Sequence, residues 1–329
     1  AKTPLNAKIL RTIEKEGYKV EHIVFESIPG YRITSSMFIP SDSKRKKAPA
    51  ILYCSGHSRT GYRTDGYQFP ILNLVKKGFV VFAFDPVGQG ERIQYYNRVT
   101  KGSEFDHPVD EHSYPGAQAF LTGSSVAKYF IWDGIRALDY LVTRKEVDPS
   151  RIGVTGRSGG GTQSAYIAAL DDRIHAAAPE CWVTNYRRII QSIGPQDGEQ
   201  NLYHFIYEGL DIPDFLIVRA PKPAMMITTT NDFFSIQGAI ETEKEVSRVY
   251  KAFGKSEHFQ RVEDFGVHQN TRQNREAMYA FFQEHLDNPG NSEDEEVNYL
   301  TGEELKVPPF VHFSTSLGSE SLMSLNRNE

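Results

Sequence analysis

The sequence predicts an α/β fold: a mostly parallel, twisted sheet of about eight strands with helices on both faces. Short, continuous apolar runs such as Ala50-Ile51-Leu52-Tyr53-Cys54 and Phe79-Val80-Val81-Phe82-Ala83-Phe84 suit strands covered on both sides. Between them lie longer stretches whose apolar residues recur at helical spacing. Alternation of the two, over 329 residues of which 39% are hydrophobic, specifies parallel strands joined by crossover helices around one large core.

The elements follow in order. Residues 21–28 and 31–39 read as two antiparallel strands joined at Pro29-Gly30. The basic run Lys44-Arg45-Lys46-Lys47 is a solvated turn. Residues 50–54 form a buried strand, and residues 70–77 a short helix stopped by Gly78. The next buried strand, 79–84, closes on Asp85-Pro86-Val87-Gly88-Gln89-Gly90-Glu91-Arg92. A long helix over 125–144 places Val126, Tyr129, Phe130, Ile135, Leu138 and Leu141 on one face. Strand 151–155, helix 161–170 and strand 174–178 come next. The segment 181–221 is irregular and rich in Gly, Pro, Asn and Tyr. Strand 223–230, helix 239–253 ending at Gly254, strand 259–265 and helix 271–286 complete the pattern.

The most informative stretch is Gly156-Arg157-Ser158-Gly159-Gly160. It lies between a predicted strand and a predicted helix, the setting in which a sharp turn lifts a serine hydroxyl above a parallel sheet. Strand and helix nearly touch at such a turn, so Gly156 and Gly160 stand where a side chain would clash. A phosphate-binding loop would end in Lys-Ser/Thr, and this one continues Gly161-Thr162-Gln163.

A serine hydroxyl needs a base within hydrogen-bond reach. Ligands in such sheets bind beyond the carboxyl ends of the strands, and in hydrolases with this turn the acid and then the histidine follow the serine. Asp232 directly follows strand 223–230, and His268 follows the last strand. His258 precedes that strand and His285 lies within the last helix; His22, His107, His112, His175, His204 and His312 fall outside the order. Glu263 and Asp264, also near His268, are weaker candidates for the acid. In this scheme the amide of Gly159 and one from Ser55-Gly56-His57-Ser58, best His57, bind the oxyanion.

Other classes are disfavoured. A net charge of -5 and a pI near 6.1 give no electrostatic reason to bind nucleic acid. No apolar run approaches the length that spans a bilayer. Cys54 and Cys181, the two cysteines, fall at ends of predicted central strands and read as buried free thiols. Starting at Ala1 without methionine or an apolar leader, the chain fits a cleaved signal peptide or a trimmed start. A secreted or periplasmic location is expected, with a cytoplasmic one left open.

Together these residues resemble the α/β-hydrolase superfamily, and within it the acetyl xylan esterase and dienelactone-hydrolase-like branch of bacterial carbohydrate esterases. The signposts, spread over residues 20–287, are Phe84-Asp85-Pro86-Val87-Gly88-Gln89-Gly90-Glu91-Arg92, Asp148-Pro149-Ser150-Arg151-Ile152-Gly153-Val154-Thr155-Gly156, Ser158-Gly159-Gly160-Gly161, and Ala220-Pro221-Lys222-Pro223. The resemblance implies a Ser158, Asp232 and His268 triad, no metal or organic cofactor, and acetyl or methyl esters of plant cell-wall carbohydrate as substrates. At Gly56-His57 the match is looser, because many relatives read His-Gly there.

The residues add a hint about specificity. Arg59, Arg63, Arg92 and Arg157 fall in loops expected at the mouth of the site, where guanidinium groups can pair with uronate carboxylates as in pectin; solvated or structural arginines are the plain alternative. Trp182, with Tyr62, Tyr67, Tyr95, Tyr96, Tyr186 and Phe233, can stack on sugar rings or simply pack. The catalytic domain is expected over 1–287, with 181–221 an insertion forming part of the pocket wall and Gly194-Pro195-Gln196-Asp197-Gly198-Glu199-Gln200 a turn-rich patch in it. Residues 288–329 open with an acidic run and read as a linker or extension, beyond which a further domain can follow. A peptidase of the prolyl-oligopeptidase type shares the fold and triad order, but several hundred residues for its usual propeller are lacking. A non-catalytic binding module would have no reason to keep all three groups.

Overall fold

The structure is a computed structural model and describes residues 2–41, 47–194, 196–307 and 318–327. Lys44 to Lys46, Pro195 and His312 lie outside them. Strands β1 (Lys8–Lys15), β2 (Tyr18–Ile28), β3 (Tyr31–Pro40), β4 (Ala48–Cys54) and β5 (Val80–Phe84) are followed by a small hairpin of β6 (Tyr96–Asn97) and β7 (Gly102–Ser103). Strands β8 (Val147–Arg157), β9 (Ala176–Glu180), β10 (Ala224–Thr229) and β11 (Phe259–Asp264) complete the set. Nine strands form one sheet in the order β1-β2-β3-β5-β4-β8-β9-β10-β11. β1, β2, β3 and β5 pair antiparallel; from β5 to β11 every pairing is parallel.

Helices α1 (Asp65–Lys76), α2 (Asp110–Leu121), α3 (Ala127–Leu141), α4 (Gly159–Leu170), α5 (Tyr186–Ser192), α6 (Asp214–Ile217), α7 (Ile236–Ala252), α8 (Arg272–His285) and α9 (Leu322–Arg327) surround it. Alternate residues of the central strands feed two cores. Ile51, Tyr53, Val81 and Ala83 pack with Ile71 and Leu74 of α1 and with Met278 and Phe282 of α8. Leu52, Cys54, Phe82, Phe84 and Val154 pack with Leu138 and Leu141 of α3 and Ile167 of α4. Burial on both faces explains why these strands read as unbroken apolar runs.

Several expectations need adjusting. The sheet has nine strands rather than about eight, because β1, polar and largely exposed, carries almost no apolar alternation. Helix α1 begins five residues before the expected start, with Pro70 inside it. Pro70 removes one helical hydrogen bond, and burial of Tyr67, Ile71, Leu74 and Val75 offsets that loss. Helix α2 is an addition; Pro115 and its part-exposed face obscure its period. The irregular segment 181–221 contains α5, α6 and a 3-10 turn, Gly198–Gln200. Both cysteines are free and buried, as expected.

Candidate active site

Ser158 sits between β8 and α4 with φ 62 and ψ -124, a left-handed conformation costly for any residue with a side chain. Neighbours hold it there: its amide donates to the Glu180 carbonyl at 2.9 Å, and its carbonyl accepts from Thr162 N at 3.0 Å. A Cβ at Gly156 or Gly160 would overlap the Cys54 carbonyl oxygen, so glycine at both positions lets α4 start directly against β4 and β8.

Asp232 follows β10 and His268 follows β11, so both reach the end of the sheet where Ser158 stands. His268 Nδ1 lies 2.8 Å from Asp232 Oδ1 and 3.0 Å from Oδ2. The carboxylate also accepts from Phe234 N at 3.0 Å and Thr229 Oγ1 at 3.2 Å. These bonds fix its orientation, and with Nδ1 occupied the Nε2 atom of His268 remains for chemistry. The Phe233 ring packs 4.2 Å from the imidazole, centroid to centroid.

His268 and Ser158 line one cavity of about 400 Å³ together with His57, Tyr67, Arg157, Asp197, Gln200, Phe233 and Phe234. No hydrogen bond joins Ser158 to His268 among the described residues; such bonds often tighten only with substrate in place. A larger cleft of about 570 Å³, lined by Lys15, Tyr18, Leu72, Val75 and Tyr299 among others, lies by the amino ends of the parallel strands. It holds no nucleophile or histidine, so the smaller cavity is the candidate site.

Arg157 enters this cavity with its guanidinium 5.2 Å from the Tyr67 ring centroid, and its Nε is buried without a hydrogen-bond partner. Behind it, Glu180 is fully interior, and Asn270 Nδ2 donates to both its oxygens at 2.7 Å. Burial pushes the Glu180 carboxyl up to about 7, against the pull of Arg157 and Asn270. The His57 ring lies over Gly159, where an added Cβ would come 3.1 Å from its Cε1. Burial alone would lower His57, but the adjacent Glu199 raises it above the ordinary histidine value.

Other expected positions separate from the site. Arg92 is a correction: it is 2% exposed, pairs with Asp133 at 2.8 Å and donates to the Asp85 carbonyl, so it is an interior strut. Trp182 is a second; 1% exposed, it packs on Tyr166 and Phe215 and its indole donates to Gln200 Oε1 at 3.0 Å. Arg63 is held by Asp85 and Glu91 at 2.5 and 2.6 Å, and Arg59 bonds the Asp106 carbonyl; neither lines the cavity. In each case a carboxylate, carbonyl or aromatic shelf elsewhere in the chain captures the side chain, which loop position alone does not reveal. Sequence reasoning misses His112 in this region and reaches Asp197, Glu199 and Gln200 only as members of the turn-rich patch, with no role for any of them. Their contacts depend on α2 and on the fold of the insertion; the turn-rich patch holding Asp197 and Glu199 is the one signal that points toward them.

Sheet order, the strand-turn-helix at Ser158 and helices on both faces define an α/β-hydrolase. The chain belongs to the acetyl xylan esterase (AXE1) family, which matches residues 3–208. That membership makes it a hydrolytic enzyme of a carbohydrate-esterase family. It is similar to the Bacillus subtilis (strain 168) protein YtaP, 25% identical over 298 residues that cover 86% of this chain and 93% of that one. Among solved structures it is similar in fold to methylesterase BT1017, with TM-score 0.75 and 20% identity, covering 100% of this chain and 71% of that one. It is also similar to an acetyl xylan esterase from Paenibacillus sp. R4, with TM-score 0.61 and 20% identity, covering 86% and 90%. No helix is long and apolar enough to cross a membrane among the described residues.

Proposed function

We propose that this protein is a serine carboxylic-ester hydrolase that removes acetyl or methyl groups from plant cell-wall polysaccharide, through an acyl-enzyme on Ser158. The observation that carries this reading is the Asp232–His268 pair, at 2.8 Å, whose imidazole lines the same cavity as a serine held at positive φ.

His268 Nε2 takes the Ser158 proton as Oγ attacks the ester carbonyl carbon, and Asp232 stabilises the imidazolium through Nδ1–H. The amides of Gly159 and His57 receive the oxyanion. His268 then protonates the leaving alcohol, and the tetrahedral adduct collapses to the acyl-enzyme. A water activated by the same ring releases the acid and restores the serine. Arg157, whose side chain lines the cavity, supports a uronate carboxylate near the reacting ester. Residues 1–287 supply the catalytic groups in this reading, with 181–221 building the wall.

A fluorophosphonate probe and p-nitrophenyl acetate test the chemistry. The wild type labels and hydrolyses, and Ser158→Ala loses turnover by on the order of a million-fold. An unlabelled, inactive wild type would overturn the proposal. Release of methanol from methyl-esterified pectin and of acetate from acetylated xylan then reads the substrate. Equal rates on methyl-uronate and neutral acetylated sugars would remove Arg157 from substrate recognition.

A further inference from the structure

A second cluster of reactive side chains stands beside the nucleophile turn and takes no part in the hydrolysis above. His57 comes from the loop after β4, His112 from α2, and Glu199 from the turn Gly198–Gln200, with Asp197 just before it. Their donor atoms converge. His112 Nδ1 lies 2.9 Å from Glu199 Oε2, His57 Nε2 lies 2.8 Å from Glu199 Oε1, and the two ring nitrogens are 3.2 Å apart. Asp197 Oδ2 stands 3.5 Å from His57 Nε2 on the more open side. The side chains of His112 and Glu199 are 1% and 2% exposed.

Neutral rings would leave these groups poorly joined. His112 Nε2 lies 2.8 Å from the Val87 carbonyl, which can only accept, so that nitrogen carries the ring's hydrogen. In the neutral ring Nδ1 therefore aims a lone pair at the Glu199 carboxylate. Glu199 Oε1, although close to His57 Nε2, is not aligned with it as a hydrogen bond and is buried without a partner. A cation at the centre turns every one of these lone pairs into a ligand.

We propose that His57, His112 and Glu199, with Asp197 completing the set, bind a divalent transition-metal ion of the zinc class. Tetrahedral zinc with bonds near 2.0–2.1 Å separates its ligand atoms by about 3.3 Å. His57 Nε2 stands 3.2 Å from His112 Nδ1 and 3.5 Å from Asp197 Oδ2, and Glu199 faces the two rings with a different oxygen each, at 2.8 and 2.9 Å. A nitrogen-rich set disfavours calcium and magnesium, which take oxygen ligands. The bond from His112 Nε2 to a backbone carbonyl is the usual support behind a metal-bound imidazole. The ion ties the loop after β4, α2 and the insertion into one wall, and holds the His57 ring over Gly159. Its role is to position that wall.

The test uses the full chain stripped with a chelator and titrated calorimetrically with zinc chloride, and separately with cobalt(II) chloride followed by visible absorption. One equivalent of zinc binds, visible cobalt bands appear, and a hundredfold excess over Kd raises Tm by about 4 °C. His112→Ala and Glu199→Gln lose the bands and weaken zinc binding by at least about a hundredfold. Ser158→Ala binds zinc as the wild type does, so the outcome stands apart from that of the hydrolytic reading. A wild type without saturable zinc binding or cobalt bands overturns the site, whatever the variants' folding, and leaves a hydrogen-bonded His–Glu–His set. Folded variants that bind zinc as tightly as wild type overturn it too.

Discussion

At the scale of single residues, the Asp232 carboxylate meets His268 Nδ1 at 2.8 Å and keeps the proton on that nitrogen. Asp232→Asn offers an amide that can stabilise the opposite tautomer, leaving Nε2 unable to accept a proton. Turnover of p-nitrophenyl acetate should fall by roughly a thousand- to ten-thousand-fold; a loss under tenfold would show that another acid serves the histidine. Glu180 makes a prediction of a different kind. Its folded pKa of about 7 lies above the ordinary 4.5, so between those values the folded chain holds a proton that the unfolded chain has released. The associated stability is fully present below about pH 4.5 and is lost as pH rises through about 7. Denaturant unfolding at pH 5 and pH 8, on wild type and Glu180→Gln, checks the sign: the variant gains on the wild type by on the order of 3 kcal/mol at the higher pH. A gap independent of pH would contradict the buried carboxyl.

At the scale of elements, the turn between β8 and α4 depends on how closely they approach β4. A methyl at position 160 would overlap the Cys54 carbonyl. Gly160→Ala must therefore push α4 outward, costing about 1–3 kcal/mol and displacing both Ser158 and the Gly159 amide. Activity should drop well beyond the stability loss; an active variant with unchanged Tm would mean the turn is looser than its contacts. The pentapeptide, the buried strands and the positions of Asp232 and His268 were legible in the sequence because each depends on local pattern plus chain order. Arg92 and Trp182 were not, because their partners Asp133 and Gln200 lie 41 and 18 residues away in the sequence. A guanidinium or indole in a loop reads the same whether a carboxylate inside the fold or a sugar outside it is the partner. Helix α2 stayed unread for a related reason: contacts distant in sequence, such as His112 Nδ1 to Glu199 Oε2 at 2.9 Å, anchor it more than periodicity does. The turn-rich patch around Gly198–Gln200 was legible as a turn, but its contacts were not.

At the scale of the whole molecule, the stretch 292–307 lies across the outside of α1 and the antiparallel edge of the sheet, without forming a strand. Its backbone is satisfied by side chains instead. Gln68 bonds both the amide and the carbonyl of Leu300, at 2.8 and 3.0 Å. Asn73 does the same for Glu295, at 2.8 and 3.1 Å. Arg11 Nη2 donates to the carbonyls of Glu303, Glu304 and Lys306. Arg63 Nε reaches the Leu305 carbonyl at 3.0 Å while its other nitrogens grip Asp85 and Glu91, linking this stretch to the loop behind the candidate site. Leu300, Leu305 and Val307 are at most 3% exposed. Burying three such side chains contributes roughly 4–9 kcal/mol, comparable to the whole stability of a typical domain. A chain ended at residue 290 should therefore melt far below the full chain or fail to fold, and the loss should exceed that of Gln68→Ala alone. Calorimetric melting of the three proteins decides the matter: equal Tm values for the shortened and full chains would mean that this stretch rests on the sheet without stabilising it.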